Sequence, residues 1–191
     1  MPITSHITRA RLARLLGIGA IALLMSGCAS MSEKECLTVN WTDQGYRDGR
    51  SGHPPARLEE HREACAKVGV VPDVVQYRAG RDEGVLEYCS PANAVREGRL
   101  GRGYRNACPM QLEAGFLAHH KLGYRAYQAE QRVESLNRQM QQTQRSLDKE
   151  KNDSKRRELR GKLRDLDRRL ARARSELRDE ERHLSSRGLF R

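Results

Sequence analysis

The sequence predicts an all-α protein: a small disulfide-stapled helical domain followed by a long antiparallel helical hairpin, a coiled coil. Three observations predict it. Helix caps recur between residues 41 and 108, while the period-2 alternation of strands is absent. Four cysteines, Cys36, Cys65, Cys89 and Cys108, fall in that same neutral stretch. Beyond Pro109 two apolar seams run at heptad spacing and mirror each other.

The chain opens on Arg9, Arg11 and Arg14, followed by the apolar run from Leu15 to Met25. That run is too short to span a bilayer as a permanent helix, and its basic flank is that of a cleavable signal. Ser26-Gly27-Cys28 at its end resembles a bacterial lipobox, in which the cysteine is lipidated and becomes the new N-terminus. Residues 1–27 are therefore expected to be a lipoprotein signal peptide, with Cys28 acylated. Ala29 rather than Asp follows the cysteine. By analogy with Gram-negative sorting this favours the outer membrane, facing the periplasm, with a surface-facing orientation as the alternative.

The domains expected after the signal are 28–109 and 110–191. Residues 29–110 hold 12 Lys/Arg and 12 Asp/Glu, whereas residues 111–191 hold 21 and 13. The odd cysteine of the five is accounted for by lipidation. Export puts the other four in an oxidising compartment, where they read as disulfides. Four cysteines allow three connectivities; Cys36–Cys65 with Cys89–Cys108 is favoured because it closes the two shortest non-overlapping loops. A metal site on His61 and Cys65 lacks any C-x-x-C or H-x-x-x-H support, and no cofactor is expected.

Four short helices are expected near 41–50, 56–68, 74–88 and 92–105. Asp73 with Gln76 has capping-box form, Ser90-Pro91 places a cap before an N1 proline, Gly69 falls at a helix C-cap, and His53-Pro54-Pro55 interrupts. Gly-Tyr-Arg recurs at 45–47, 103–105 and 123–125. Gly45/Gly49 and Gly80/Gly84 each share one helix face. A helical glycine costs ~1 kcal/mol relative to alanine, so close backbone approach between helices is the expected compensation, with Tyr46, Tyr77, Tyr88 and Tyr104 beside it. A glycan or peptidoglycan-fragment site built on these repeats is the alternative function.

The spacing Trp41-x3-Gly45-Tyr46-x-Asp48-Gly49, His61-x3-Cys65, Tyr77-x2-Gly80-Arg81-x2-Gly84, Tyr88-Cys89, Gly98-x2-Gly101-x2-Tyr104-x3-Cys108-Pro109 resembles bacterial lipoproteins of domain-of-unknown-function family 2799. The resemblance covers roughly residues 28–130. It departs at His119-His120, where a small residue would precede the aromatic. It implies a fold and a lipid anchor and brings no catalytic residues.

The first seam runs through Leu122, Ala126, Ala129, Val133, Leu136, Met140, Thr143 and Leu147. The second runs through Leu159, Leu163, Leu166, Leu170, Ala173, Leu177, Glu180 and Leu184. Antiparallel pairing of 147 with 159 through to 122 with 184 centres a turn near Asn152-Asp153-Ser154. Each seam would be about 38 Å long at ~1.5 Å per residue. A single continuous helix in an intermolecular coiled coil is the rival.

Residues 155–174 carry 10 Lys/Arg and three acids. Lys155, Arg156, Arg157, Arg160, Arg164 and Arg168 are the candidate anionic-partner residues. Export and the absence of interleaved aromatics argue against nucleic acid. The expected partners are the membrane through the lipid anchor, and an envelope protein, anionic lipid or peptidoglycan. No nucleophile, base and orienting acid fall into a motif, so a non-enzymatic structural or adaptor role is expected.

Overall fold

The computed structural model describes residues 29–188, and Cys28 and the expected signal segment lie outside them. Every regular element among the described residues is a helix. They are α1 (Glu33–Thr38), α2 (Trp41–Arg50), α3 (Arg57–Ala66), α4 (Val74–Tyr88), α5 (Pro91–Arg99), α6 (Met110–Lys149) and α7 (Asp153–Ser186).

Each start has a local cause. Ser32 and Glu35 form a reciprocal capping box for α1, an element the sequence reading had omitted. Asn40, Asp73, Ser90 and Asn152 each accept a hydrogen bond from the third residue of the helix they precede. Gly69, at φ +70°, closes the turn after α3 as expected.

Two boundaries differ from expectation. The helix expected to 105 ends at Arg99, because Gly101 turns left-handed at φ +69° and the Arg102 N–H returns to the Glu97 carbonyl. This is a Schellman ending, and it frees residues 100–109 to loop back. The hairpin turn also falls earlier than Asn152-Asp153-Ser154. Only residues 150–152 are non-helical, since Asn152 is the cap and Asp153 already belongs to α7.

The helices pack as three pairs, α2 with α4, α5 with α6, and α6 with α7. The first two pairs are variants of one unit. Residues 41–52 superimpose in sequence on 90–101, and 77–88 on 116–127. The equivalences hold in the hydrogen bonds. His53 N–H reaches the Asp48 carbonyl as Arg102 N–H reaches that of Glu97, each at 3.0 Å. Arg81 Nη2 donates to the His53 carbonyl, and in the second unit His120 Nε2 donates to that of Arg102. Gly52 (φ +68°) lies against the Tyr88 ring as Gly101 lies against Tyr127.

Glycine closes both crossings, as the spacing in α2 and α4 implied. A Cβ on Gly45 would stand 2.9 Å from the Arg81 nitrogen and closer still to the Tyr77 carbonyl oxygen. One on Gly49 would stand 2.8 Å from the Val85 nitrogen. Gly80 and Gly84 meet the α2 backbone reciprocally. In the second unit Gly98 and Gly123 do the same, while Ala94 and His119 occupy the places of Gly45 and Gly80. Backbone contact of this kind is open only to residues without a side chain, and carbonyl oxygens seated on Cα–H groups add a small attraction. Gly103 is not part of the device, having nothing within 4 Å of its Cβ position. The Gly-Tyr-Arg triplets are therefore not the structural repeat.

The core follows this division. Trp41, Leu58, Cys65 and Tyr77 pack with Met31 and Cys36 around the first unit. Val85, Tyr88, Ala94 and Phe116 form the second cluster, with Tyr88 stacked on Phe116. Leu136, Leu166, Leu170 and Ala173 form the seam of the hairpin with Val133 and Met140 beside them, in the mirrored register. Cysteines placed at 140 and 166 should therefore close a disulfide within one chain, read as a monomer on non-reducing gels. Exclusively intermolecular product would mean the continuous-helix arrangement.

Candidate functional site

The arm is built on the platform rather than appended to it. The first part of α6 completes the second glycine crossing, with Phe116 and Ala126 buried and Tyr127 lying over Gly101. Packing of the globular part thus continues past Pro109 into the long helix. At the far end of the seam, Leu184 of α7 packs on Val95 and Ala126. Arg99 and Arg125 face Glu181 and Glu180 at 3.8 and 3.5 Å. These contacts root both strands of the hairpin in the platform. From Tyr127 to Lys149 the arm extends ~33 Å, at ~1.5 Å per residue.

The six basic residues named from the sequence divide into two kinds. Arg156 is half-buried and structural, since its Nη1 donates to the Leu147 and Glu150 carbonyls at 3.1 and 2.7 Å. It satisfies carbonyls left free at the end of α6 and locks the turn. Lys155, Arg157, Arg160, Arg164 and Arg168 are exposed. Helical spacing puts 157, 160, 164 and 168 on the side of α7 away from Leu166 and Leu170. Arg168 has Asp165 at 3.3 Å. Among the described residues no carboxylate lies within ion-pair distance of Arg157, Arg160 or Arg164.

The four domain cysteines form Cys36–Cys65 and Cys89–Cys108, with Cα separations of 5.4 and 5.8 Å. The first ties α1 to α3, and the second ties the end of α4 to the loop before α6. Both fall within ordinary disulfide reach. Cys65 is thereby committed to Cys36, and its sequence neighbour His61 is turned inward.

His61 belongs to a buried polar cluster that the sequence reading did not find. Its Nε2 lies 2.7 Å from Asp48 Oδ2, and Tyr77 donates its hydroxyl to that same oxygen at 2.8 Å. Gln44 donates to Asp48 Oδ1 at 3.1 Å. On the other side of the ring, Ser30 Oγ is 2.8 Å from Nδ1. Burial is the largest influence on Asp48 and acts to raise its pKa, but the bonds from His61, Tyr77 and Gln44 together hold it below the usual carboxylate value. The Tyr77 phenol is pushed well above its ordinary value by burial and by Asp48. The cluster pins α2, α3 and α4 together and fastens Ser30, two residues after Cys28, to the domain. The only sequence signals for it were Asp48 beside a packing glycine and His61 four residues before a cysteine.

His119 and His120 spend their ring nitrogens on the carbonyls of Gly115 and Arg102, at 2.8 and 2.7 Å. Tyr77 and Tyr88 are buried, and Tyr46 bonds Glu87. No cluster of three or more metal-ligating side chains occurs among the described residues. No described helix is long and apolar enough to cross a membrane.

No curated protein and no solved structure matches the chain. Residues 40–125 match the model of the family described as protein of unknown function (DUF2799). They run from the cap of α2 to the end of the second glycine crossing and stop before the arm. Over those residues, which form the doubled helix-pair domain, the chain is similar to that family.

Proposed function

We propose that the protein is an outer-membrane lipoprotein of the Gram-negative envelope with a structural or adaptor role. Cys28 carries the lipid and holds the domain at the membrane, and the hairpin presents its basic helix to an anionic or protein partner in the periplasm. The observation that carries this reading is the exposed row Arg157, Arg160 and Arg164, which no described carboxylate neutralises. The ion pairs that α7 makes with other helices lie toward the root of the arm, where Glu181, Glu180 and Glu176 meet Arg99, Arg125 and Arg132. Two features suit a load-bearing tether. Ser30 and Met31 are already packed into the domain, so little slack separates it from Cys28. The arm is rooted at both ends.

The glycan-site alternative draws less support, because the glycines of the two crossings face backbone and two of the tyrosines face the core. In-cell photo-crosslinking from position 160 or 164 tests the adaptor reading. A discrete partner should be recovered, and replacing the remaining arginines among Arg157, Arg160, Arg164 and Arg168 by Gln should abolish the crosslink. Recovery of nothing above background defeats the proposal. Cys28→Ser should release the protein from the membrane fraction.

A further inference from the structure

The two glycine-locked units meet at a cleft that the adaptor reading does not use. It has two adjoining lobes of about 570 and 560 Å³ that share Arg50, Tyr88 and Arg96. Arg102 and Arg105, from the loop released by the early end of α5, complete its rim. Four guanidinium groups therefore border one cavity.

Among the described residues, two carboxylates pair with them. Glu87 is 3.6 Å from Arg50, and Glu97 is 3.0 Å from Arg102. The other two arginines are held by neutral acceptors. Arg96 donates to the Asn93 side-chain oxygen, and Arg105 donates to the Ser51 carbonyl at 2.7 Å. Such bonds fix the direction of a guanidinium without cancelling its charge, so the cleft keeps a surplus of two positive charges on oriented forks. At its floor Tyr88 is 4% exposed and faces both lobes. No described residue bonds its hydroxyl. Burial, with help from Glu97, raises its pKa, so it is an O–H donor at neutral pH.

We propose that this cleft is a binding site for a small organic or inorganic oxyanion carrying at least two negative charges, as phosphate or carboxylate groups. Guanidinium forks match the paired oxygens of both groups, and the Tyr88 hydroxyl supplies a further donor at the floor. The site lies on the platform and depends neither on acylation of Cys28 nor on the arm.

Calorimetric titration of the full chain in detergent, at constant ionic strength, tests it with sodium pyrophosphate in one arm and succinate in the other. Saturable binding of at least one anion at one site per chain is expected, and the tighter anion identifies the group recognised. Arg50→Gln with Arg96→Gln should weaken it at least tenfold. Tyr88→Phe, which keeps the ring over Phe116, should weaken it several-fold with no change in the melting curve. Arg157→Gln with Arg160→Gln and Arg164→Gln should leave it unchanged. Absence of saturable binding by either anion overturns the proposal, as does equal loss in the arm variant, which would mark the binding as general electrostatic attraction.

Discussion

Alanine at Gly80 should unfold the α2–α4 pair at temperatures the native protein withstands. The added methyl would lie within 3.0 Å of the Tyr46 nitrogen and nearer still to the Thr42 carbonyl. Neither obstacle is a side chain that can rotate away. The helices must part, and parting them opens the contacts of Trp41 and Tyr77. Overpacking costs typically 1–3 kcal/mol and occasionally more. With backbone as the obstacle we expect about 3 kcal/mol or more, which lowers Tm by roughly 6–12 °C in a chain of this size. Gly115 supplies the opposite case. It lies in α6, is exposed and has nothing within 4 Å of its Cβ position. Gly115→Ala should gain about 1 kcal/mol of helix propensity. Thermal melts of the two variants check both signs. If both substitutions shift Tm alike, glycine is not the closing device of the crossing.

The second large effect is expected at Asp48. Asp48→Ala takes the carboxylate away from His61 Nε2 and from the Tyr77 hydroxyl in the interior. Each group deprived of it costs roughly 1–3 kcal/mol, so a loss of about 3 kcal/mol or more is expected in denaturant unfolding. Tyr77→Phe should be far milder, about 1 kcal/mol, because the second unit already carries Phe116 at the equivalent place. There Glu97, the counterpart of Asp48, is satisfied by Arg102 instead. The pH dependence has a definite sign. The folded pKa of Asp48 is depressed, so its contribution is complete above the ordinary carboxylate pKa. It drains as pH falls below about 4 and is lost as the native carboxylate protonates. Asp48→Asn should therefore be less stable than the native protein at neutral pH, with a flatter acid limb. An acid limb unchanged by Asp48→Asn would mean that the cluster does not carry this linkage.

Local signals were read well where they act locally. Ser90-Pro91, Asp73 and Gly69 set helix ends through their own neighbours, and the structure keeps them. The heptad seams also read through, because a period of 3.5 residues leaves one antiparallel register for Leu136, Leu166 and Leu170. Errors arose where a signal had two meanings. Gly-Tyr-Arg is a conspicuous triplet, yet Gly45 and Gly123 face backbone while Gly103 faces solvent. Repetition of a string does not reveal which glycine has a partner. The true repeat pairs segments separated by α3 in the first unit and by the loop before α6 in the second, and it survives as hydrogen-bond geometry more than as identical letters. Arg156 looked like its neighbours in a basic run. It differs because helix rotation aims it at the free carbonyls of the turn.

By itself the sequence determined the all-helical class and the helix caps, and it favoured the two disulfide loops and the mirrored hairpin over their alternatives. Each of these rests on spacing along one segment or on the pairing of two strong periodicities. Only the tertiary structure decided that the domain is one helix pair used twice, that Asp48, His61 and Tyr77 form its buried polar joint, and that four arginines from separate segments share a cleft. Those features depend on which backbones approach each other in space. That is fixed by the glycine crossings, and no single segment encodes the partner it will meet.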